Sequence, residues 1–229
     1  MLDELRKTVC NANKELQKQN LVIYSFGNVS AIDRNSSTIA IKPSGVPYDQ
    51  LTPDKIVFLD LEGNAVEGNL NPSSDTPTHL ELYRNFPDIG GVCHTHSTYA
   101  TMWAQACTEI PCFGTTHADS FFGPVPVTKR LSKKQIQESY ELNTGRIIIE
   151  RFSDIDPLET PAVLVANHGP FTWAETPQKA VKNAVILEEI AKTALGTITV
   201  NPNQKQIDNA LLEKHFLRKH GKNSYYGQK

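Results

Sequence analysis

No stretch of the 229 residues is apolar over the roughly 20 positions that a membrane-spanning helix needs. The first segment, MLDELRKTVCNANKELQKQN, lacks the apolar core of a signal peptide. It mixes both charge signs with Leu2, Leu5, Val9 and Leu16 at the spacing of an amphipathic helix. A cytoplasmic location is expected, with no membrane partner. Cysteine is scarce: Cys10, Cys93, Cys107 and Cys112 form no CxxC pair, which argues against a disulfide framework and for reduced, mostly buried thiols. A surplus of one charge is also missing, with 23 basic against 25 acidic residues and a formal net charge of -2. The single basic run, KHFLRKHGK, lies near the end, so nucleic acid is not an expected partner. Internal repeats and linker-like segments are absent too, and one domain over residues 1–229 is expected.

What is present is an alternation of strand and helix signals around one sheet. LVIYSFGNVSAID and STIAIKPSG read as strands broken at Gly27, Pro43 and Gly45, followed by KIVFLD and a short strand in EGNAVEGN. NPSSDTPTHLELYRNFP carries a helix start, with Ser and Asp as caps and Pro77 early in the helix. IGGVCHTH reads as the next strand, and STYATMWAQAC as a helix capped by Ser97. SKKQIQESYEL and ETPQKAVKNAVILEEIAKTAL have helical spacing, and between them AVLVANHGPF reads as one buried strand ending at His168. NQKQIDNALLEKHFLRKH is the last expected helix.

His94 and His96 are two apart at a strand end, so their side chains project from one face. His168 stands in the same kind of position. Three imidazoles without a cysteine partner fit a catalytic zinc site with one open position, although imidazole suits iron, cobalt, nickel and manganese as well. The alternative is three polar residues at strand ends with no shared task. Residues Ser73, Ser74 and Asp75 also have two readings. They cap the helix that follows, or they present hydroxyls and free amides to an anion such as phosphate, with Asp75 as base or ligand. Turns at Gly27-Asn28 and at Ser44-Gly45, the latter just after Lys42, could add backbone amides and a positive charge to such a cradle. His79 is expected on a helix surface, and His117 and His220 in structural roles.

The stretches FGNVSAID, IKPSGV, PSSDTPTHLELY, GGVCHTHSTYATMWAQ, IPCFGTTHAD, NHGPF and KHFLRKHGKNSYYGQK, in this order, resemble the L-ribulose-5-phosphate 4-epimerases of the class II aldolase family. The HTH pair and the final YYGQ set this subgroup apart from the plain sugar-phosphate aldolases. ELNTG and the last residues are most similar to the ascorbate-utilisation epimerase, with the arabinose-pathway enzyme close behind.

The resemblance implies a single α/β domain of three layers, a mostly antiparallel sheet with helices on both faces. It implies a divalent cation, commonly zinc, on His94, His96 and His168 with Asp75 beside it. Gly27, Asn28, Lys42, Ser44, Gly45, Ser73 and Ser74 would surround a phosphorylated sugar, chiefly its phosphate. Asp119 and Tyr226 would serve as proton shuttles for cleavage and re-addition at carbon 4, while Thr115, Glu141 and His215 would stand near the site with less defined roles. A homotetramer with active sites between subunits is also implied. Ser120 departs from the pattern, since relatives often carry an aromatic residue there. Rival readings are an aldolase that releases the fragments, a three-histidine zinc hydrolase and a non-catalytic metal-binding protein.

Overall fold

The computed structural model describes residues 2–222 and 224–227; Gln228, which closes the YYGQ motif, lies outside the described residues. The extended stretches pair into one seven-stranded sheet. Its strands are β1 (Asn28–Asp33), β2 (Thr38–Ile41), β3 (Val57–Asp60), β4 (Ala65–Glu67), β5 (Gly91–His94), β6 (Ala162–Leu164) and β7 (Pro170–Ala174). They lie in the order β4-β3-β2-β1-β5-β7-β6, and each neighbouring pair is antiparallel.

Alternation along β1 divides two cores. Val29 and Ala31 face the helices α1 (Leu2–Lys18) and α6 (Pro177–Val200), packing with Leu16, Cys10 and Ala184. Ile32 faces the other side, where α2 (Thr76–Asn85) and α5 (Lys133–Arg151) bring Leu82, Tyr83, Ile147 and Ile148 against Phe171 and Trp173. With both faces covered, the central strands read as apolar runs rather than alternating ones, which is the reason their ends are hard to see in the sequence. Helix α3 (Thr98–Gln105) packs on α6 and β6, and α7 (Asn209–His220) packs on the single turn α4 (Thr115–Ala118). The described residues include no helix long and apolar enough to cross a membrane. All four cysteines are free, with Cys107 alone partly exposed.

Several expectations are corrected. AVLVANHGPF is not one strand but the hairpin β6–β7, turned by Asn167 at φ 63°. The apolar run continues through the turn, so hydrophobicity alone does not mark it. Residues 21–27 form turns rather than a strand, ending at Gly27 with φ 81°, where a Cβ would lie 2.8 Å from the His94 carbonyl oxygen. Ser97 makes no side-chain cap for α3. The carboxylate of Glu188 on α6 instead accepts from the amides of Tyr99 (2.8 Å) and Ala100 (3.0 Å). His79 is not at the surface but fully buried, with Nδ1 2.7 Å from the Ser30 hydroxyl.

The expected helix at 132–142 extends to Arg151 and starts with a capping box between Ser132 and Gln135. It is broken at Ser139, whose φ of -161° and ψ of 73° are not helical. Beyond the break, Gly145 allows α5 to press onto α2, since a Cβ there would fall 2.6 Å from Cβ of Glu81.

Candidate metal centre

The sheet register assembles the centre. Asn28 of β1 and Phe171 of β7 are the partners of His94 on either side, so the three side chains form a row on the α2/α5 face. Phe171 stacks on the His94 ring with centroids 4.1 Å apart. Pro170 fixes its tautomer: a carbonyl oxygen only accepts, so His94 Nδ1 carries the proton and donates to it over 2.9 Å. His94 Nε2 is left with a bare lone pair facing His96 Nε2 at 3.1 Å. His168, in the β6–β7 turn, completes a group whose three ligand atoms all lie within 4.8 Å of one another.

This donor set fits a metal ion. A tetrahedral ion with bonds of about 2.0–2.1 Å separates two ligand nitrogens by roughly 3.3 Å. The His94–His96 distance is close to that, and the bare lone pair of His94 Nε2 points into the space between the rings. Burial, with His94 adding to it, pushes His96 down to about 4, and burial with both neighbouring rings pushes His168 down to about 3. Both are therefore neutral at pH 7, as ligands must be.

Asp75 lines the same cavity but stands outside the group of three. It occupies the cap position of α2 without capping it, because its carboxylate accepts from the Asn28 amide at 2.6 Å. Burial acts to raise its pKa, but His94, His79 and that hydrogen bond prevail and hold it below the usual carboxylate value.

The cavity, about 460 Å³, is also lined by Gly27, Asn28, Lys42, Ser44, Gly45, Ser73, Ser74 and Glu141. Lys42 is 2% exposed; its ammonium lies over the Tyr48 ring and, among the described residues, has only the carbonyl oxygens of Ser25 and Pro43 at 3.4 Å and no carboxylate. Burial pushes it down to about 8. Such an ammonium has unspent capacity for an anion. Four further lining residues were not singled out as site residues in the sequence: Ser25, Phe26, Pro43 and Tyr140. Tyr140 follows the break in α5, and the helical spacing of the sequence gives no sign of a break.

Asp119, His215 and Tyr226 do not line this cavity; they meet elsewhere. Asp119 accepts from His215 Nδ1 (3.0 Å), from Arg218 Nε and Nη2 (3.0 and 2.7 Å) and pairs with Lys219 (3.2 Å). Burial alone would raise its pKa, but these three bases bring it down to about 2. The Tyr226 ring lies beneath Arg218 and Lys219, at 4.9 and 4.4 Å. Ser120 is beside Asp119 at a second cavity of about 590 Å³. Thr115 lines a third, of about 280 Å³. His117 bonds only locally, with Nε2 donating to the Gly123 carbonyl at 2.8 Å, and His220 Nε2 donates to the Asp119 carbonyl at 3.0 Å.

Comparison with known proteins gives the class. Residues 7–195 match the model of the class II aldolase and adducin N-terminal domain, and the chain belongs to that family. An L-fuculose 1-phosphate aldolase is 26% identical, with a TM-score of 0.78 over 93% of this chain and 94% of its own. The L-fuculose-1-phosphate aldolase of Thermus thermophilus is 23% identical with a TM-score of 0.65, over 89% of this chain and 98% of its own. A sugar-phosphate aldolase of Thermotoga maritima is 18% identical with a TM-score of 0.65, over 87% and 97%. The last two share the fold.

Proposed function

We propose that the protein interconverts L-ribulose 5-phosphate and D-xylulose 5-phosphate by breaking and remaking the bond between carbons 3 and 4. The observation that carries this reading is the meeting, in one cavity, of the three-histidine group with an unneutralised buried lysine and glycine-serine turns. A hydrolase needs the first and not the second. The YYGQ tail and the HTH pair support an epimerase within the family.

In this reading His94, His96 and His168 hold a divalent cation, zinc by preference, with Asp75 alongside. Bound there, the cation supplies Lewis-acid stabilisation of negative charge developing on the ketose oxygens. Lys42 with Ser44, Gly45, Ser73, Ser74, Gly27 and Asn28 binds the phosphate and anchors the two-carbon aldehyde fragment that carries it. The carbon 4 hydroxyl gives up its proton before cleavage. After the aldehyde turns and is attacked on its other face, the new alkoxide takes a proton back. Asp119 and Tyr226 serve these two transfers, with His215, Glu141 and Thr115 nearby. Since Asp119 and Tyr226 gather apart from the histidines of their own chain, they act in the site of a neighbouring subunit, in keeping with a homotetramer in the cytoplasm. The pathway is ascorbate or arabinose catabolism.

Likeness to an L-fuculose 1-phosphate aldolase favours a second reading, in which the fragments are released. Incubating the purified protein with L-ribulose 5-phosphate and a divalent cation separates the two. Epimer without free glycolaldehyde phosphate supports epimerisation, free aldehyde supports the aldolase, and no turnover with zinc, manganese, cobalt or nickel rejects both.

A further inference from the structure

Each ligand histidine has a second ring nitrogen, and its partner decides whether the first can bind a metal. For His94 the partner is the carbonyl of Pro170, which leaves no choice. For His168 it is different. Its Nδ1 lies 3.2 Å from the hydroxyl of Tyr140, a group that can donate or accept. If the phenol donates, Nδ1 is the acceptor, Nε2 carries the ring proton and His168 cannot be a ligand through Nε2. If the ring donates, Nε2 is bare and the phenol proton is free to point elsewhere.

We infer that Tyr140 is the positioning residue of His168: its oxygen accepts the Nδ1 proton, frees Nε2 for the metal, and turns its own hydroxyl proton toward the cavity. The inference rests on reading the three histidines as the metal site. The ring proton moves from Nε2 to Nδ1 and the single Tyr140–His168 hydrogen bond reverses, with no net proton gained or lost. The local backbone is built to hold the phenol in place. The break at Ser139 comes one residue before Tyr140, and Asn143 ties the far side of it back to the Gln135 carbonyl at 2.9 Å. Thr144 donates to the Tyr140 carbonyl at 2.9 Å, and Thr78 of α2 donates to the Glu141 carbonyl at 2.6 Å. Tyr140 and Glu141 are thus presented together on the cavity wall.

Cobalt(II) titration of the chelator-stripped full chain, in competition with a chromophoric chelator, tests this. The wild type should bind one ion per chain with visible bands of a low-coordinate site; no saturable binding would overturn the metal reading and this inference with it. Tyr140→Phe keeps the ring and loses the oxygen. It should weaken cobalt binding about 10- to 100-fold and shift the bands, with the thermal midpoint of the metal-free protein unchanged. Equal affinity and an identical spectrum would overturn the role of Tyr140 and leave the metal site standing. Should Tyr140→Phe fold poorly, 3-fluorotyrosine at position 140, below its phenol pKa, keeps the shape with a poorer acceptor oxygen. It should bind cobalt between the two, and wild-type affinity would overturn the inference.

Discussion

The histidine cavity and the Asp119 cluster are built on different principles. The first is fixed by strand register: His94 has a stacked neighbour and a carbonyl acceptor from the same adjoining strand, and it is 1% exposed. The second hangs on one carboxylate that gathers three bases from α7, and its aromatic member, Tyr226, is 61% exposed. A set of ligands must hold distances to within tenths of an ångström, and the sheet provides that stiffness. Under the proposed function Asp119 and Tyr226 serve another subunit, a task that calls for presentation at a surface, and a docked helix end provides that.

The comparison breaks most sharply at a ligand. His96→Asn should lose the metal and turnover together, by more than the roughly 100-fold ceiling expected for a residue that only supports a ligand, as read by metal analysis after gel filtration. Full occupancy in that variant would contradict the ligand assignment. Asp119→Asn should do the opposite. Turnover should drop by roughly 10²- to 10⁴-fold, the range of lost acid–base help, while metal content is unchanged; a variant that is fully active removes Asp119 from the mechanism.

Lys42→Met should raise KM about 10- to 100-fold, as expected for losing a charge-assisted hydrogen bond worth about 1.5–3 kcal/mol. The same variant reports on pH. Lys42 is depressed to about 8 in the folded protein against an ordinary value of 10.5, so between those values the unfolded chain holds more protons. Stability of the wild type should therefore gain from Lys42 as pH rises through that window. Denaturant unfolding at several pH values should show this gain flattened in Lys42→Met.

Asp119 has the reverse sign. Its folded value of about 2 lies below the usual 3.8, so its pairing stabilises the fold above about pH 4 and is lost as pH falls toward 2. Asp119→Asn should flatten that acid limb. The smallest effect is expected at Glu188→Ala, which removes the borrowed cap of α3 and should cost about 1–2 kcal/mol in denaturant unfolding.

Much of the cavity was legible because its residues carry local signals. A histidine pair two apart at the end of an apolar run, and glycine next to Asn or Ser, say something about geometry by themselves. His79 says nothing of the kind. Its burial depends on Ser30 and Tyr83, which come together only when β1 and α2 meet. Glu188 likewise caps a helix 88 residues away in sequence. Asp75 was legible as a helix cap and sits at that position, but the Asn28 amide claims its carboxylate. The hairpin at Asn167 was hidden because both its strands are buried, and the break at Ser139 because the helical spacing runs through it.

Gly145 sets how close α5 comes to α2, and the broken end of α5 forms one wall of the cavity. The width of that opening is therefore governed in part from a position that touches none of its contents. A methyl group added there would act as a shim, moving Tyr140 and Glu141 outward together while every atom facing the cavity kept its identity. Substrate size could be adjusted from behind the wall rather than within it.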